Sequence, residues 1–371
     1  MKLIHLSDLH LGKRLREFSL VEDQEYILNQ ILTLVEAERP DAVVIAGDVY
    51  DKAIPSVEAV SLFDEFLVRL AALTPHVFVI SGNHDSPERI AFGSRLLGAA
   101  GIHLSPVYSG RVSPVTLTDE FGSVNFYLLP FVKPIHVRHF FPQEPTDTYT
   151  QALDTAIRHM ELDESQRNVL VTHQFVTGAS RSDSEEISLG GSDNVDAEVF
   201  RGFDYVALGH LHNAQNCGSQ RIRYCGTPLK YSFSEAGAEK TLTVAELKQK
   251  GELTLRTLPL KPMRELVQLR GRFEELTASY QGATSDYVHI TLTDEEDIPD
   301  ALGKLRLFYP NLMKLDYDNA RTRGLAEITG EALPTRSPME LFGDFFELQN
   351  NQPMTAEQRV FLEELLEEEE G

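Results

Sequence analysis

The sequence predicts an α/β fold built on a parallel sheet, and three observations support that class. Short apolar segments with the length of a buried strand recur at 3–6, 42–45, 76–80, 169–171 and 205–208. Amphipathic helical patterns separate the first three, as in a doubly wound sheet. Asp, Asn or His follows each segment closely. Because open α/β sheets bind ligands outside the carboxyl ends of their strands, these polar side chains should meet in one crevice.

The helices of the first half follow from apolar spacing and capping residues. Residues 20–37 carry apolar side chains at helical spacing. Ser56 is a good N-cap for a second helix over 56–72. Further helices are predicted near 88–99 and 149–160, and short alternating strands over 102–130 lead into a basic and aromatic loop at 133–141.

The chain after His212 predicts a second sheet. Strand patterns occur at 221–225, 241–246 and 252–258, which indicates a largely antiparallel sheet. We expect these strands to complete a first domain, which spans residues 1–260. Within it, residues 178–194 are rich in Gly, Ser, Asp and Glu and predict a long surface loop.

Two smaller units are predicted beyond the first domain. Residues 259–262 read as a linker that contains two prolines, after which strands and helices alternate over 261–335 as a small α/β unit. Residues 336–371 predict a C-terminal helical segment with an acidic tail. In that segment Thr355 and Gln358 fit a capping box.

The composition limits the class of protein. The 371 residues carry a formal net charge of −23, which excludes nucleic-acid binding by overall attraction, so any DNA contact must be local. The only cysteines, Cys217 and Cys225, favour free thiols in a reducing compartment over a disulfide. The N-terminus lacks a signal-peptide pattern, and no apolar run reaches membrane-spanning length. We therefore expect a cytoplasmic protein without a membrane partner.

The polar residues that follow the apolar segments are of the types that bind metal ions. Asp8 and His10 stand two apart, as do His210 and His212, so each pair reaches one side of an extended segment. Asp48 is the natural carboxylate to bridge two ions. Hard oxygen ligands mixed with imidazole favour manganese, with iron or zinc as alternatives, over magnesium. The predicted ligands are Asp8, His10, Asp48, Asn83, His173, His210 and His212.

Each of these motifs alone is more often a surface or capping residue than a ligand, but their combination is distinctive. The set resembles the calcineurin-like metallophosphoesterase superfamily, and it consists of Asp8-Leu9-His10, Gly47-Asp48, Gly82-Asn83-His84-Asp85, His173 and Gly209-His210-Leu211-His212. The resemblance implies a four-layer αββα sandwich that binds two metal ions per subunit. It assigns Asp8, His10, Asp48 and His212 to one ion, and Asp48, Asn83, His173 and His210 to the other.

The same resemblance implies the catalytic residues. His84 is outside both ligand sets, and in such enzymes this histidine stands near the scissile phosphate, which suits an imidazole with a pKa near neutrality. Asp51 stands where related phosphatases keep an acid that orients this histidine. The alternative for Asp51 is a turn residue ahead of Pro55.

One branch of the superfamily is similar over essentially the whole chain: bacterial DNA nuclease subunits. The similar parts are residues 2–12, residues 223–228, the small α/β unit and the Phe-rich C-terminal segment. This resemblance implies manganese-dependent exonuclease and endonuclease cleavage of double-stranded and hairpin DNA. It also implies a homodimer, an ATPase partner with a coiled coil, and a role in DNA end processing, repair and recombination.

Two surfaces are candidates for contact with DNA and with a second copy of the chain. Lys13, Arg14 and Arg16 form a basic cluster beside the first motif, for which phosphate contact and ordinary loop charge are equally open. The helices predicted at 56–72 and 88–99 carry more apolar residues than one sheet face needs, which favours a dimer interface over completion of the core. The residues concerned are Val57, Leu62, Ile90, Phe92 and Leu96.

The C-terminal segment predicts a docking element for the coiled coil of the ATPase. Its two short helices carry apolar stripes beyond a linker that contains Pro334 and Pro338. The alternative is that the segment folds back on its own chain. The predicted partner-binding residues are Leu341, Phe342, Phe345, Phe346, Phe361 and Leu365.

Two other functions remain compatible with the sequence. The same ligands serve phosphomonoesterases and cyclic-nucleotide phosphodiesterases, although a small substrate needs neither the second unit nor the C-terminal segment. A catalytically idle scaffold that recruits an ATPase is a third class, and the complete ligand set argues against it.

Overall fold

The computed structural model describes residues 1–180, 193–278 and 284–320, together with a few single residues between 322 and 362. The chain divides into two compact units, Met1–Leu266 and Val267–Gly371. Most of the loop predicted at 178–194, and the predicted boundary between residues 335 and 336, lie outside the described residues. The first unit contains every strand end that carries a predicted ligand.

Sheet 1 is a mixed sheet of six strands. In spatial order its strands are Leu253–Leu260, Lys240–Leu247, Lys2–Leu6, Ala42–Ala46, His76–Ile80 and Ile102–Leu104. The last four run parallel to one another, and the first two are antiparallel additions to the edge. The carboxyl ends of the parallel strands therefore lie at the same edge of the sheet, and Asp8, Asp48 and Asn83 follow them there.

Sheet 2 also has six strands, and its four central strands are parallel. In spatial order the strands are Gln215–Cys217, Ser219–Tyr224, Tyr205–Gly209, Arg167–His173, Gly122–Leu129 and Val115–Asp119. The two outer strands pair antiparallel with their neighbours. Gly209 lies directly opposite His173, so two neighbouring strands end together and place His173, His210 and His212 at one edge.

Two long helices cover the outer face of sheet 1, in agreement with the sequence. Helix α1 spans Val21–Glu38, and helix α2 spans Val57–Leu73. The Ser56 hydroxyl accepts a hydrogen bond from the Ala59 amide at 3.3 Å, as expected of an N-cap. Both helices turn an apolar stripe inward, which includes Ile31 of α1 and Phe66 of α2, while α2 also exposes Val57, Val60 and Val68.

The single helix predicted over 88–99 is wrong. The chain forms two short helices instead, α3 (Pro87–Ile90) and α4 (Ser94–Leu97), followed by a 3₁₀ turn at Gly98–Ala100. Gly93 between them has a φ of +74°, which no continuous right-handed helix accommodates. Ile90 consequently faces the core with 5% exposure, whereas Phe92 and Leu96 face outward with 84% and 82% exposure.

The loop predicted at 133–141 is also wrong, because this segment forms helix α5 (Pro134–Phe140). Proline is favoured in the first turn of a helix, where its missing N–H costs no hydrogen bond. Val137 is buried and attaches the helix to the core. Helix α6 (Tyr149–Arg158) follows, with a capping box between Thr148 and Gln151, and both helices pack on the outer face of sheet 2.

The two sheets pack face to face. Phe78 of sheet 1 and Phe126 of sheet 2 stack with ring centroids 4.4 Å apart and planes 11° from parallel. Val44 and Val171 belong to the same buried core. The order of layers is therefore α1 and α2, sheet 1, sheet 2, α5 and α6, which confirms the predicted αββα sandwich.

The separate antiparallel sheet predicted after His212 is wrong, because its strands are divided between the two sheets. Ser219–Tyr224 joins sheet 2 in parallel with Tyr205–Gly209, while Lys240–Leu247 and Leu253–Leu260 extend sheet 1. An alternating pattern of apolar residues shows which face of a strand is buried, but it does not select the neighbouring strand. The choice of sheet therefore depends on tertiary packing.

The second unit has the predicted alternation of strand and helix. It contains strand Leu266–Gly271, helix α7 (Phe273–Ala278), strand Tyr287–Leu292, helix α8 (Ala301–Arg306) and strand Leu312–Tyr317. Tyr287–Leu292 is the central strand of its sheet and pairs in parallel with Leu312–Tyr317. Further along, the Thr355 and Gln358 side chains each accept a hydrogen bond from the other residue's amide, which confirms the capping box.

Cys217 and Cys225 are both buried free thiols, as the composition favoured. Across the part of the chain that the structure describes, no helix is both long enough and apolar enough to cross a membrane.

Candidate metal centre

The edges of the two sheets bring all of the predicted ligand residues together. Three overlapping groups of side chains have ligand atoms within 4.8 Å of one another. These groups are Asp8, His10 and His212; His10, Asp48 and His84; and Asp8, Asp48 and His173. Asn83 and His210 complete the cluster, because the Asn83 side-chain oxygen is hydrogen-bonded to both His173 and His210.

On one side of the centre, two imidazoles face each other beside a carboxylate. Nε2 of His10 lies 3.3 Å from Nε2 of His212 and 3.7 Å from Oδ2 of Asp48. The Asp8 carboxylate, which is fully buried, accepts a hydrogen bond from the His210 amide at 3.0 Å. Two ring nitrogens at this distance are both directed at the same space, as expected of ligands to one cation.

On the other side, an amide oxygen lies between two imidazoles. Oδ1 of Asn83 lies 2.9 Å from Nε2 of His173 and 3.0 Å from Nδ1 of His210. Oδ2 of Asp48 lies 3.3 Å from the same His173 nitrogen. The Asp48 carboxylate thus approaches both sides, since it also lies near His10.

The backbone at these strand ends is unusual, because several of the site residues adopt left-handed conformations. The φ angles are 52° at Asp8, 45° at His10, 49° at Asp48 and 105° at His210. Such angles are costly for residues with side chains and persist where the surroundings hold them. The residue before His210 is a glycine, Gly209, because a Cβ there would lie 1.9 Å from the Ala46 carbonyl oxygen.

The electrostatics of the cluster suit a cation. Burial raises the pKa of Asp8 to about 6, and the charge of Asp48 adds to the rise. Burial alone would lower the pKa of His173, but the Asp48 carboxylate outweighs it and raises that pKa to about 9. Nδ1 of His173 donates to the Ala46 carbonyl at 2.8 Å, so Nε2 is the nitrogen directed at Asp48 and Asn83. Buried carboxylates and imidazoles oriented in this way fit metal ions.

Comparison with protein families agrees with this geometry. Residues 1–214 match the model of the calcineurin-like phosphoesterase family. The chain belongs to the calcineurin-like phosphoesterase family. Residues 262–350 match a second model, described as the type 5 capsule protein repressor C-terminal domain.

Relatives within the calcineurin-like family cover most of the chain. A protein of Staphylococcus epidermidis, named as the SbcD subunit of the nuclease SbcCD, is 36% identical over 85% of this chain and 85% of its own. A protein of the same name from Staphylococcus saprophyticus is 35% identical over 85% of this chain and 84% of its own. The chain is thus a member of the SbcD group of this family, and it is a metal-dependent phosphodiesterase of the nuclease type.

Solved structures show weaker similarity to the chain. A dimetal phosphatase from Danio rerio matches 69% of this chain and 95% of its own at 14% identity, with a TM-score of 0.43. TT1561 of Thermus thermophilus matches 69% of this chain and 98% of its own at 11% identity, with a TM-score of 0.36.

His84 occupies the position expected of a residue beside the metal ligands, but its partner differs from the prediction. Its Nδ1 donates to the backbone carbonyl of Asp51 at 3.0 Å. The Asp51 carboxylate accepts from Nζ of Lys13 at 2.7 Å instead. The predicted orientation of His84 by the Asp51 side chain is therefore wrong, because that carboxylate is neutralised by a lysine closer to it.

Asp85 holds two ligand loops together. The sequence placed it in the Gly82-Asn83-His84-Asp85 motif but assigned it no role. Its carboxylate accepts hydrogen bonds from the amides of Gly82 at 3.0 Å, Val49 at 3.1 Å and Tyr50 at 2.9 Å. Gly82 precedes Asn83, and Val49 follows Asp48. Asp85 thus fixes the loop of one ligand relative to the loop of the other.

A buried ion pair that the sequence did not reveal lies behind His212. Nζ of Lys240 donates to the His212 carbonyl at 2.8 Å, to the Thr227 hydroxyl at 2.8 Å and to Glu235 at 2.6 Å. The other Glu235 oxygen lies 3.6 Å from Nδ1 of His212. Glu235 is fully buried and Lys240 is 5% exposed. Single charged residues in a turn and a strand give no local signal of such a contact.

The predicted basic cluster is close to the metal centre but is not uniform. Lys13 is paired with Asp51, and its ammonium lies 5.5 Å from the centroid of the Tyr231 ring. Arg14 and Arg16 are exposed, and Arg14 donates to the Glu17 carbonyl. Two of the three predicted DNA-contacting residues therefore face solvent.

The structure describes only part of the predicted partner-binding stripe. Phe342 is 43% exposed and Phe346 is partly buried. The other four predicted residues lie outside the described residues, and they are Leu341, Phe345, Phe361 and Leu365.

Proposed function

We propose that the protein is a manganese-dependent DNA nuclease subunit that acts with an SbcC-like ATPase in DNA end processing, repair and recombination. The observation that carries the proposal is the cluster of carboxylate, amide and imidazole ligands around a shared Asp48 carboxylate. The relatives are named as nuclease subunits, which supports the choice of DNA over a small ester. We expect double-strand exonuclease and single-strand or hairpin endonuclease activity in the cytoplasm.

The residues divide into two ligand sets around the shared carboxylate. Asp8, His10, Asp48 and His212 would hold one ion, and Asp48, Asn83, His173 and His210 would hold the other. A mixture of hard oxygen and imidazole ligands supports manganese, with iron or zinc as alternatives. When bound, the two ions supply an activated water and neutralise charge on the phosphate.

His84 is proposed to have a different role from the metal ligands, because one of its ring nitrogens is already hydrogen-bonded to the backbone. Since Nδ1 donates to the Asp51 carbonyl, Nε2 is free to face the reacting phosphate. That nitrogen lies 4.0 Å from Oδ2 of Asp48, so it is beside the ligand cluster. We expect it to stabilise charge on the phosphate or to protonate the leaving oxygen.

DNA contact is proposed at local basic positions and on the second unit. Arg14 and Arg16 are exposed and suit the phosphate backbone, and Lys13 forms an ion pair with Asp51. The small α/β unit, with its own buried core, would guide the duplex.

Exposed apolar side chains on the first unit support a homodimer. Val57 is 79% exposed, and Phe92 and Leu96 are more exposed still. Ile54 at 75% and Val60 at 44% extend the set. Clusters of large exposed apolar residues are typical of interfaces. Ile90, which is buried, does not belong to the proposed surface.

The C-terminal segment is proposed to dock on the coiled coil of the ATPase. Phe342, with 43% of its surface exposed, supports this assignment. An apolar stripe on a short helix packs well against a helical partner, and each fully buried Phe or Leu contributes roughly 1.5–3 kcal/mol.

One assay separates the proposed function from its alternatives. The purified protein is incubated with Mn²⁺ and a labelled hairpin duplex, in parallel with p-nitrophenyl esters and cyclic nucleotides. We expect the hairpin to be cut. Hydrolysis of the small esters or cyclic nucleotides with intact DNA would instead identify a small-molecule phosphoesterase, and no hydrolysis of any substrate would identify a scaffold.

A further inference from the structure

We propose that a cavity beside the metal centre is a binding site for the nucleobase that flanks the scissile phosphate, an inference that rests on the proposed nuclease function. The cavity has a volume of about 130 Å³. A buried water needs roughly 10–15 Å³ by the same kind of measure, so the space suits a larger group. Asn83 and His210 form part of its wall. Its occupant would therefore lie next to the ligand cluster.

Three aromatic side chains line the cavity, namely Phe131, Tyr149 and Phe175. All three are partly exposed, so their surfaces are available to a ligand. The Phe175 ring lies 6.3 Å from the ring of His210, and the Phe131 ring lies 6.3 Å from that of His173. Aromatic rings stack with bases of any sequence, which is how many proteins hold single-stranded nucleic acid. A base stacked on these rings would therefore belong to a nucleotide next to a phosphate at the metal centre.

A lysine and a carboxylate define what the cavity accepts. Lys133 lines it and is exposed, and within the described part of the chain its ammonium forms no ion pair. Asp193 also lines the cavity, and its negative charge disfavours a free anion inside. A neutral base inside the cavity with its phosphate outside would put the negative charge of the phosphate beside Lys133 and away from Asp193. In a chain with a net charge of −23, an unpaired lysine beside the site is a local attraction for phosphate.

The base-binding role is tested by combining changes in the protein with changes in the DNA. A hairpin whose cleavage site has been mapped is prepared intact and with an abasic residue on either side of the scissile bond. We expect the wild-type protein to have about a tenfold lower kcat/KM on the abasic hairpin at one of these positions, since stacking on one aromatic residue is worth about that factor. Tyr149→Leu and Phe175→Leu should reduce this ratio towards one, because the base has no ring left to stack on.

Conservative variants separate stacking from folding, since Tyr149 and Phe175 also pack against the core of sheet 2. Tyr149→Phe and Phe175→Tyr should restore the wild-type ratio. All variants are compared by Tm and by Mn²⁺ titration calorimetry. The base-binding site would be overturned if the leucine variants fold and bind Mn²⁺ as the wild type does, yet keep its ratio of kcat/KM on the intact and abasic hairpins at both flanking positions.

The phosphate contact is tested with a matched pair of lysines. Lys133→Ala should raise KM for the hairpin severalfold and flatten the salt dependence of binding, because one phosphate contact is lost. Lys248→Ala removes another exposed charge, at the far end of the sheet 1 strands, and should leave both the KM and the salt dependence unchanged. Equal effects of the two substitutions would contradict the role of Lys133. A wild-type protein that cuts no DNA with Mn²⁺ would refute the nuclease function itself, which is a different result from cleavage that ignores the abasic change.

Discussion

Asp48 is the residue that the two proposed ligand sets share. Its Oδ2 lies 3.3 Å from one imidazole nitrogen of the second set and 3.7 Å from one of the first. Burial opposes ionisation, yet the neighbouring imidazoles, led by His173, hold the pKa of Asp48 well below its usual value. The carboxylate is thus ionised and placed to attract two cations at once.

We expect Asp48→Asn to abolish cleavage and to reduce the metal content below two ions per chain. The neutral amide removes the negative charge that both ions would share. Elemental analysis and Mn²⁺ titration calorimetry measure the loss. Asp147→Asn, which changes an 85% exposed carboxylate, serves as the control. If Asp48→Asn kept two ions and wild-type cleavage, the shared-ligand assignment would be wrong.

His84→Ala should keep its metal ions and its DNA affinity but cleave about 10²–10⁴ times more slowly, the range for loss of a general acid or base. The reason is that His84 is proposed to act on the phosphate and is in neither proposed ligand set. Single-turnover cleavage and calorimetry measure the two properties separately. A fall in bound metal would contradict this division.

Asp51→Asn should have a smaller effect than His84→Ala. The backbone carbonyl of Asp51, which the substitution keeps, holds Nδ1 of His84. The change instead releases Lys13 from its ion pair. We expect cleavage within about tenfold of the wild type, since removing one hydrogen-bonded pair partner at a partly exposed site costs about 1–2 kcal/mol. A loss as large as that of His84→Ala would show that the carboxylate itself acts in the reaction.

The ion pair behind His212 gives a further prediction at this scale. Burying a charged pair brings little stability, so a fully buried Glu235 and Lys240 directed at one ligand residue suggest a positioning role. We expect Glu235→Gln to lower Mn²⁺ affinity about 10–100-fold, as loss of groups behind metal ligands commonly does. Titration calorimetry measures this without reference to activity.

Arg167→Met is the matched control for that change. Arg167 is also buried and paired, with Asp119, but it begins the strand that His173 ends. Six residues of extended chain separate the two, about 20 Å. Arg167→Met should lower the free energy of unfolding by about 3–5 kcal/mol and leave Mn²⁺ affinity unchanged. Equal losses of affinity in the two variants would mean that Glu235 acts only through stability.

At the scale of elements, α2 and the short helices α3 and α4 expose apolar side chains that no other described residue of the chain covers. The broken helix matters here, because Gly93 turns Phe92 and Leu96 outward while Ile90 stays in the core. In a continuous helix the directions of these side chains relative to Ile90 would be different.

We expect Val57→Glu combined with Leu96→Glu to convert a dimer into a monomer. Charges placed within an apolar interface lose their hydration without gaining partners. Light scattering measures the mass, which should halve. Ile135→Glu, at a 67% exposed position on α5, is the control and should keep the dimer. An unchanged mass in the double variant would exclude this interface.

At the scale of the whole molecule, the proposed DNA cleavage and the proposed binding of the ATPase belong to different parts of the chain. All of the clustered ligand residues lie in the unit Met1–Leu266, and the proposed docking stripe lies after residue 336. The two functions should therefore be separable by truncation.

Deleting everything after Arg336 should leave the Mn²⁺-dependent cleavage of the isolated protein within about threefold of the wild type, because no ligand residue is lost. The same deletion should abolish co-purification with the ATPase, since several apolar anchors worth roughly 1.5–3 kcal/mol each are removed. A truncated protein that binds the ATPase with full affinity would refute the docking assignment.

The sequence alone was sufficient to select the residues that meet at the metal centre. A buried strand is recognised from a few adjacent apolar residues, and the polar residue that follows it is a neighbour in the chain, so both signals are local. The parallel arrangement then requires those residues to share one edge. The helix caps at Ser56 and Thr355 are local in the same sense.

Only the tertiary structure decided which distant groups become partners. The strands after His212 joined different sheets, His173 found its acceptor in Ala46, 127 residues away, and His84 found a backbone carbonyl where a carboxylate was expected. The contact of Glu235 and Lys240 with His212, and the aromatic cavity near Lys133, likewise combine segments whose own patterns are unremarkable. Hydrogen bonds and ion pairs depend on distances within a few tenths of an ångström, and packing between layers sets those distances.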